Sequence, residues 1–138
     1  GVMGHSLGGK IALYTGVFDQ RVTAIVGSDF GVGFNFSNWD APWYLGKKIL
    51  SSDFSLAHHH LLALCAPRPF FLIGGEADRP ASWQYILEAQ KIYKLYGRNE
   101  SIGFVDHATG HRPTEESLLV AYCWLAEQFN LTPQSWEL

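Results

Sequence analysis

The sequence is poor in cysteine and in charge, and it contains no long apolar run. No apolar segment approaches the roughly 18 residues that a membrane-spanning helix needs. Its two cysteines, Cys65 and Cys123, have no metal-ligand spacing and make no disulfide framework, so we expect buried free thiols, although one bridge stays open. The net charge of −3 at pH 7 argues against the basic surface of a nucleic-acid or membrane-binding protein.

What the chain does contain is typical of a globular domain. Of its 138 residues, 47% are hydrophobic and 17% are charged, which suits one domain of ordinary size. Strand and helix patterns alternate in the order β-α-β-loop-α-β-α-β-α. This order predicts an α/β fold with a mostly parallel sheet and helices on both faces. We expect the domain to cover residues 1–130 and residues 131–138 to form a C-terminal tail.

The pattern also places most element boundaries. After a first short strand, the predicted strands cover residues 21–27, 69–73 and 102–105. Helices are predicted up to Phe18, over 58–64 and 82–96, and after an N-cap at Thr114. Residues 28–57 combine glycine, asparagine and proline with many aromatic side chains. They are either a pocket wall or small lid, or a surface loop that aromatic side chains hold against the core.

The chain is organised around the stretch Gly4-His5-Ser6-Leu7-Gly8-Gly9. It fits the pattern G-x-S-x-G, in which a tight strand-to-helix turn presents a serine nucleophile. Such a turn crowds the positions two residues before and after the serine, which predicts glycine at both. It also aims a helix N-terminus at the reaction centre, where the Leu7 N–H can stabilise an oxyanion. The alternative is a glycine-rich turn with a solvated serine.

A nucleophilic serine needs a base, and the base needs a carboxylate that orients it. Asp78 lies just past the strand predicted at 69–73, and His111 lies in a loop just past the next strand. The carboxyl ends of parallel strands meet at one edge of a sheet, so Ser6, Asp78 and His111 are expected to converge there. The residues therefore predict a catalytic triad in the chain order nucleophile, acid, base.

Each of these assignments has an alternative. Asp78 can instead cap a helix, and Glu76 is a second candidate for the acid. His111 can instead be a loop histidine bound to a nearby carboxylate, and His107 is a second candidate for the base. The run at residues 58–60 consists of three histidines, but consecutive helical side chains point in different directions. We therefore predict no metal site there.

Several motifs together resemble the α/β-hydrolase superfamily, and within it the dienelactone hydrolase and acetyl xylan esterase-like branch. These motifs are the elbow at residues 4–9, the segment 38–45, the Ala-Pro-Arg-Pro lead at 66–69 into a strand followed by Gly-Glu-Ala-Asp, and the Gly-His loop at 110–111. The resemblance covers residues 1 to about 130. The elbow and the Gly-His loop are its most specific parts.

The resemblance implies ester hydrolysis through an acyl-enzyme. Ser6 would be the nucleophile, His111 the general base and acid, Asp78 the orienting carboxylate, and the Leu7 N–H an oxyanion donor. It implies a small-molecule or carbohydrate ester as substrate and requires no metal or organic cofactor. The side chains that are further candidates for substrate contact are those of His5, Trp39, Trp43 and His59.

The chain opens at Gly1, and only Val2 and Met3 separate that residue from the elbow motif that begins at Gly4. In the superfamily, further strands flank the elbow strand, and a loop after one of them carries a second oxyanion donor. We therefore expect this chain to be the C-terminal half of a larger enzyme, inactive or nearly so alone, with an exposed elbow strand. A peptidase- or lipase-type serine hydrolase and a non-catalytic protein with this fold stay open as alternatives. Cellular location and oligomeric state do not follow from these residues.

Overall fold

Four short apolar strands form one parallel sheet in the computed structural model, which describes residues 1–133. The strands are β1 (Val2–His5), β2 (Ile25–Ser28), β3 (Phe70–Gly74) and β4 (Ile102–Asp106), and they lie side by side in chain order. All three neighbouring pairs are parallel. Parallel pairing in chain order brings the four carboxyl ends to one edge of the sheet, which is the edge the sequence predicts for the site.

Over residues 1–133, four α-helices follow the strands or lie between them. They are α1 (Leu7–Phe18), α2 (His58–Cys65), α3 (Trp83–Leu95) and α4 (Glu115–Gln128). The predicted order of strands and helices is confirmed. Within residues 1–133, no helix is both long enough and apolar enough to cross a membrane.

The two faces of the sheet bury different side chains because successive strand residues point to opposite sides. Ile25, Phe70 and Leu72 belong to the larger core, which also contains buried side chains of α1, α2 and α3. Val26 and Phe71 belong to a smaller core under α4. Helices therefore cover both faces of the sheet, and the predicted α/β architecture is confirmed.

Two residues that the sequence analysis points out, Arg68 and Thr114, form hydrogen bonds at the ends of helices. Arg68, from the Ala-Pro-Arg-Pro segment, donates hydrogen bonds to the carbonyl oxygens of Gly16, Val17 and Val22 at and beyond the end of α1. It thus satisfies carbonyl groups that a helix terminus leaves without partners. Thr114 accepts a hydrogen bond from the Ser117 N–H and caps α4, as predicted.

β1 lies at an edge of the sheet, with β2 as its strand neighbour among the described residues. The expectation of an elbow strand at an edge therefore agrees with the described part of the chain. The boundary predicted at residue 130 stays a prediction. Within the predicted tail, residues 134–138 lie outside the described residues.

The irregular segment that follows β2 is held against the core over its first part. Phe30, Val32 and Trp39 are buried, and the Trp39 indole N–H donates to the Gly31 carbonyl oxygen at 2.6 Å. Farther along, the chain is more open, since Trp43 is 72% exposed. The first part of residues 28–57 therefore fits a loop held against the core, and because Asn35 and Phe36 line a cleft, it also fits a pocket wall.

Candidate functional site

The chain turns sharply at Ser6, between β1 and α1. Ser6 has φ 54° and ψ −118°, and its N–H donates to the Ser28 carbonyl oxygen at 2.8 Å. A positive φ at a residue other than glycine is uncommon and strained, and such residues concentrate at functional sites. The Ser6 side chain does not cap α1. Its hydroxyl is therefore presented at the head of the helix without being used to stabilise it.

The glycines around Ser6 do not all carry the same steric constraint. A methyl group at Gly4 would lie 2.0 Å from the Gly8 carbonyl oxygen, which no side chain tolerates. A methyl group at Gly8 would meet no atom within 4 Å, whereas one at Gly9 would lie 2.9 Å from the Phe30 Cβ. The predicted need for glycine thus holds at Gly4 but not at Gly8, because it is the Gly8 backbone that crowds Gly4.

Leu7 is the first residue of α1. The first N–H groups of a helix have no acceptor within the helix, so the Leu7 N–H remains available to an external acceptor at the positive end of the helix dipole. Its predicted role as an oxyanion donor stays a prediction.

His111 is paired with Asp29. Its Nδ1–H donates to Asp29 Oδ2 at 2.5 Å, and its ring lies 4.6 Å, centroid to centroid, from the ring of His5, the residue before Ser6. The His111 side chain is 45% exposed, whereas the Asp29 side chain is fully buried. An imidazole whose Nδ1 is held by a buried carboxylate keeps its Nε2 free to accept a proton.

The Asp29 carboxylate is held by the chain that follows β3. Besides His111, it accepts backbone N–H bonds from Glu76, Ala77 and Asp78 at 2.8–3.1 Å. The Asp29 backbone has φ 43°, a strained value for a residue that is not glycine. Hydrogen bonds to its ionised form stabilise the buried charge and fix its direction.

Asp78 has a different set of partners from the predicted one. Its carboxylate is fully buried and accepts the N–H groups of Gly31 and Val32 at 2.8 and 2.7 Å, and the Ser82 hydroxyl at 2.9 Å. Burial raises the pKa of the Asp78 carboxyl, against the lowering effect of these hydrogen bonds. The predicted pairing of Asp78 with His111 is thus not found, because both carboxylate oxygens face the loop after β2.

His5 and a neighbouring cleft complete the surroundings of His111. His5 Nδ1 shares a hydrogen bond with the Ser28 hydroxyl at 3.1 Å. Burial, followed by the proximity of His111, lowers the His5 pKa, so the neutral ring is favoured. His111 also lines an open cleft of about 660 Å³. The other residues that line this cleft are Asn35, Phe36, Glu76, Ala77, Arg79 and Ala81.

The remaining aromatic candidates lie outside the lining of this cleft. Trp39 is 2% exposed and packs under the Lys10 ammonium group, 4.3 Å from the ring centroid. Trp43 is exposed and lies against Tyr44. The His59 ring packs on that of His60, with centroids 4.0 Å apart. Their predicted contact with substrate stays a prediction.

The other candidate histidines occupy separate environments. His58 is buried, donating from Nδ1 to the Val32 carbonyl oxygen and accepting from the Tyr14 hydroxyl at Nε2. His60 Nδ1 accepts the Ala57 N–H at the start of α2. His107, the alternative base, shares a hydrogen bond with the Thr109 hydroxyl, and its Nε2 is buried without a partner among the described residues.

Asp29, the carboxylate that the structure places against His111, is not among the residues that the sequence predicts for the site. A signal for it exists, because Asp29 directly follows β2, just as a carboxylate after β3 led to Asp78. Asp29 lies at the start of residues 28–57, whose glycine and aromatic content predicts an irregular segment and not the position of an acid.

Comparison with solved structures identifies the fold. A carbohydrate esterase family 15 glucuronoyl esterase from Caldicellulosiruptor kristjansonii matches with a TM-score of 0.78 at 23% identity, over 99% of this chain and 46% of that one. A glucuronoyl esterase from Solibacter usitatus matches with a TM-score of 0.76 at 20% identity, over 94% and 42%. A family 15 glucuronoyl esterase from Teredinibacter turnerae matches with a TM-score of 0.67 at 25% identity, over 93% and 40%.

These matches confirm the resemblance to the α/β-hydrolase superfamily at the level of the fold. The chain spans less than half the length of each of the three structures. No protein-family model and no curated protein matches the sequence.

Proposed function

We propose that this chain carries the catalytic residues of a serine-dependent carboxylic ester hydrolase, with Ser6 as nucleophile, His111 as base and Asp29 as the orienting carboxylate. The observation that carries the proposal is the 2.5 Å hydrogen bond between His111 Nδ1 and the buried Asp29, beside a strained serine turn. The fold shared with carbohydrate esterases supports the same reaction.

The proposed reaction follows from the roles of these groups. His111 Nε2 takes the Ser6 hydroxyl proton as Oγ attacks the ester carbonyl carbon, and the Leu7 N–H receives the oxyanion. The imidazolium is stabilised by its hydrogen bond to the Asp29 carboxylate. Collapse of the tetrahedral intermediate breaks the bond to the alcohol oxygen, and that oxygen takes the proton from His111. Water then attacks the acyl-enzyme by the same route and releases the acid and Ser6.

The substrate class is drawn from the cleft and from the structural neighbours. The neighbours are named as glucuronoyl esterases and a methylesterase. The cleft beside His111 combines an aromatic ring, Phe36, with polar side chains such as Asn35 and Arg79. Rings and polar groups together suit a polyhydroxylated ester, so we propose a small-molecule or carbohydrate ester as substrate.

Covalent labelling tests the nucleophile. A fluorophosphonate should add once to the chain, as read by intact-protein mass, and the adduct should be absent from Ser6→Ala. Ser52→Ala, which removes an exposed serine from the irregular segment, is the matched control and should label like the wild type. An unlabelled wild type would favour a non-catalytic protein that kept the fold, whereas an adduct that persists in Ser6→Ala would show that a residue other than Ser6 reacts with the probe.

A further inference from the structure

In the loops that follow β2 and β3, the aspartate of each loop accepts hydrogen bonds from the backbone of the other. Asp29, after β2, accepts three N–H groups of the loop after β3, including that of Asp78. Asp78, in turn, accepts the N–H groups of Gly31 and Val32 in the loop after β2. The backbone of each loop is therefore bound to a buried carboxylate of the other loop.

The loop after β2 is the more strained of the two. Asp29 has φ 43° and Gly31 has φ 73°, so two residues within three positions lie in the left-handed region. Such a conformation persists only where surrounding bonds determine it. The bonds from Asp78 reach Gly31 and Val32, two and three positions beyond Asp29, and so hold the far side of the strained turn.

Both oxygens of the Asp78 carboxylate are occupied by hydrogen bonds. Oδ2 binds Gly31, Oδ1 binds Val32 and also accepts the buried Ser82 hydroxyl, and the side chain has no exposed surface. Its own N–H donates to Asp29 Oδ1 at 2.8 Å, which joins the two aspartates directly.

We infer that Asp78 is a positioning residue for the reaction: through Gly31 and Val32 it holds the turn that aims the Asp29 carboxylate at His111 Nδ1. The inference rests on the proposed function of Ser6, His111 and Asp29. Asp78 touches none of the reacting atoms and acts through Asp29.

The test is the hydrogen bond at His111 itself, observed by NMR on the isotope-labelled 138-residue chain. The wild type should show a protected, downfield His111 Nδ1 proton that is lost in Asp29→Asn. Asp78→Asn replaces one acceptor oxygen by an amide that repels the facing N–H. It should speed exchange of the His111 proton roughly tenfold, the scale of one buried hydrogen bond to a charged group. Asp53→Asn, which neutralises an exposed carboxylate in the irregular segment, should leave that exchange unchanged.

A second variant keeps the test decisive if Asp78→Asn does not fold. Ser82→Ala removes one donor from Asp78 and should speed the same exchange by a smaller factor. The inference would be overturned if Asp78→Asn folds and its His111 proton exchanges at the wild-type rate. If Asp78→Asn does not fold, the same result in Ser82→Ala would overturn it. A wild type without a protected His111 proton would also overturn it. Fluorophosphonate labelling of the same samples separates the two claims, since an unlabelled wild type with the expected NMR changes refutes only the proposed catalysis.

Discussion

Two buried aspartates, Asp29 and Asp78, lie in neighbouring loops and differ in their hydrogen-bond partners. Both follow strands of the same sheet, both are fully buried, and both accept backbone N–H groups from the opposite loop. The remaining partner of Asp29 is His111, and the remaining partner of Asp78 is Ser82. A position after the carboxyl end of a strand therefore does not by itself predict which carboxylate binds the histidine.

The distance from the strand explains the difference. Asp29 directly follows Ser28, the last residue of β2, while Asp78 lies four positions past Gly74, the last residue of β3. In between, the chain after β3 folds back on itself, with the Gly75 N–H donating to the Asp78 carbonyl oxygen at 2.9 Å. That turn directs the Asp78 side chain toward the loop after β2 and leaves its backbone N–H for Asp29.

The largest expected effect comes from neutralising Asp29. Asp29→Asn should slow acylation of Ser6 by a p-nitrophenyl ester by ~10⁴-fold, because an amide in place of the carboxylate favours the wrong tautomer of His111 and does not stabilise the imidazolium. Single-turnover release of p-nitrophenol measures this rate. All variants share the same oxyanion donors, so their ratios isolate the histidine–carboxylate pair.

Asp78→Asn provides the comparison in the same assay. It should slow acylation by much less than Asp29→Asn, since Asp78 acts on His111 only through Asp29. The reverse order, with the larger loss at Asp78, would return Asp78 to the role that the sequence predicts for it.

The sequence predicts the architecture well because its signals are local. Apolar runs give the strands, the Thr114 cap begins α4, and Gly4 permits the tight turn at Ser6 through a contact only four residues away. The prediction of Ser6 and His111 as site residues rests on similar local patterns of turn and loop. These features depend on neighbours in the chain, which a single sequence displays.

The carboxylate that binds His111 is not close to it in the chain, which is why the sequence pattern points to Asp78 and not to Asp29. The His111–Asp29 contact spans 82 residues, and the bonds between the two aspartate loops span 46–49 residues. Both aspartates lie after the carboxyl end of a strand. Which of the two binds His111 is decided by the backbone conformation of the loop after β3. Trp39 shows the same limit, since its ring packs not only on its sequence neighbour Tyr44 but also on the distant Tyr14 and His58.

A third prediction concerns the core that anchors the loop after β2. His58 Nδ1 donates to the Val32 carbonyl oxygen at 2.7 Å, while the Val32 N–H binds Asp78. Burial lowers the His58 pKa from 6.5 to about 4. The unfolded chain therefore binds a proton between pH 6.5 and 4 that the folded chain does not, and the free energy of unfolding should fall by about 3 kcal/mol as pH drops through this window.

Urea unfolding at several pH values between 6.5 and 4 measures this loss. His58→Gln should remove most of this His58-linked slope, whereas His60→Gln, at the exposed start of α2, should retain it. A wild-type slope that survives in His58→Gln would show that the acid sensitivity of the fold lies elsewhere than beside the loop after β2.

The smallest effect is expected at Glu76, which the sequence offered as an alternative acid. Its backbone N–H, not its side chain, reaches Asp29 Oδ2 at 3.1 Å, and its carboxylate lies at the exposed cleft beside His111. Glu76→Gln keeps that N–H and removes only a charge that solvent screens, so acylation should change by no more than about twofold. A loss near that of Asp29→Asn would mean that Glu76 turns inward during the reaction. The division of work between the two buried aspartates would then not describe the working site.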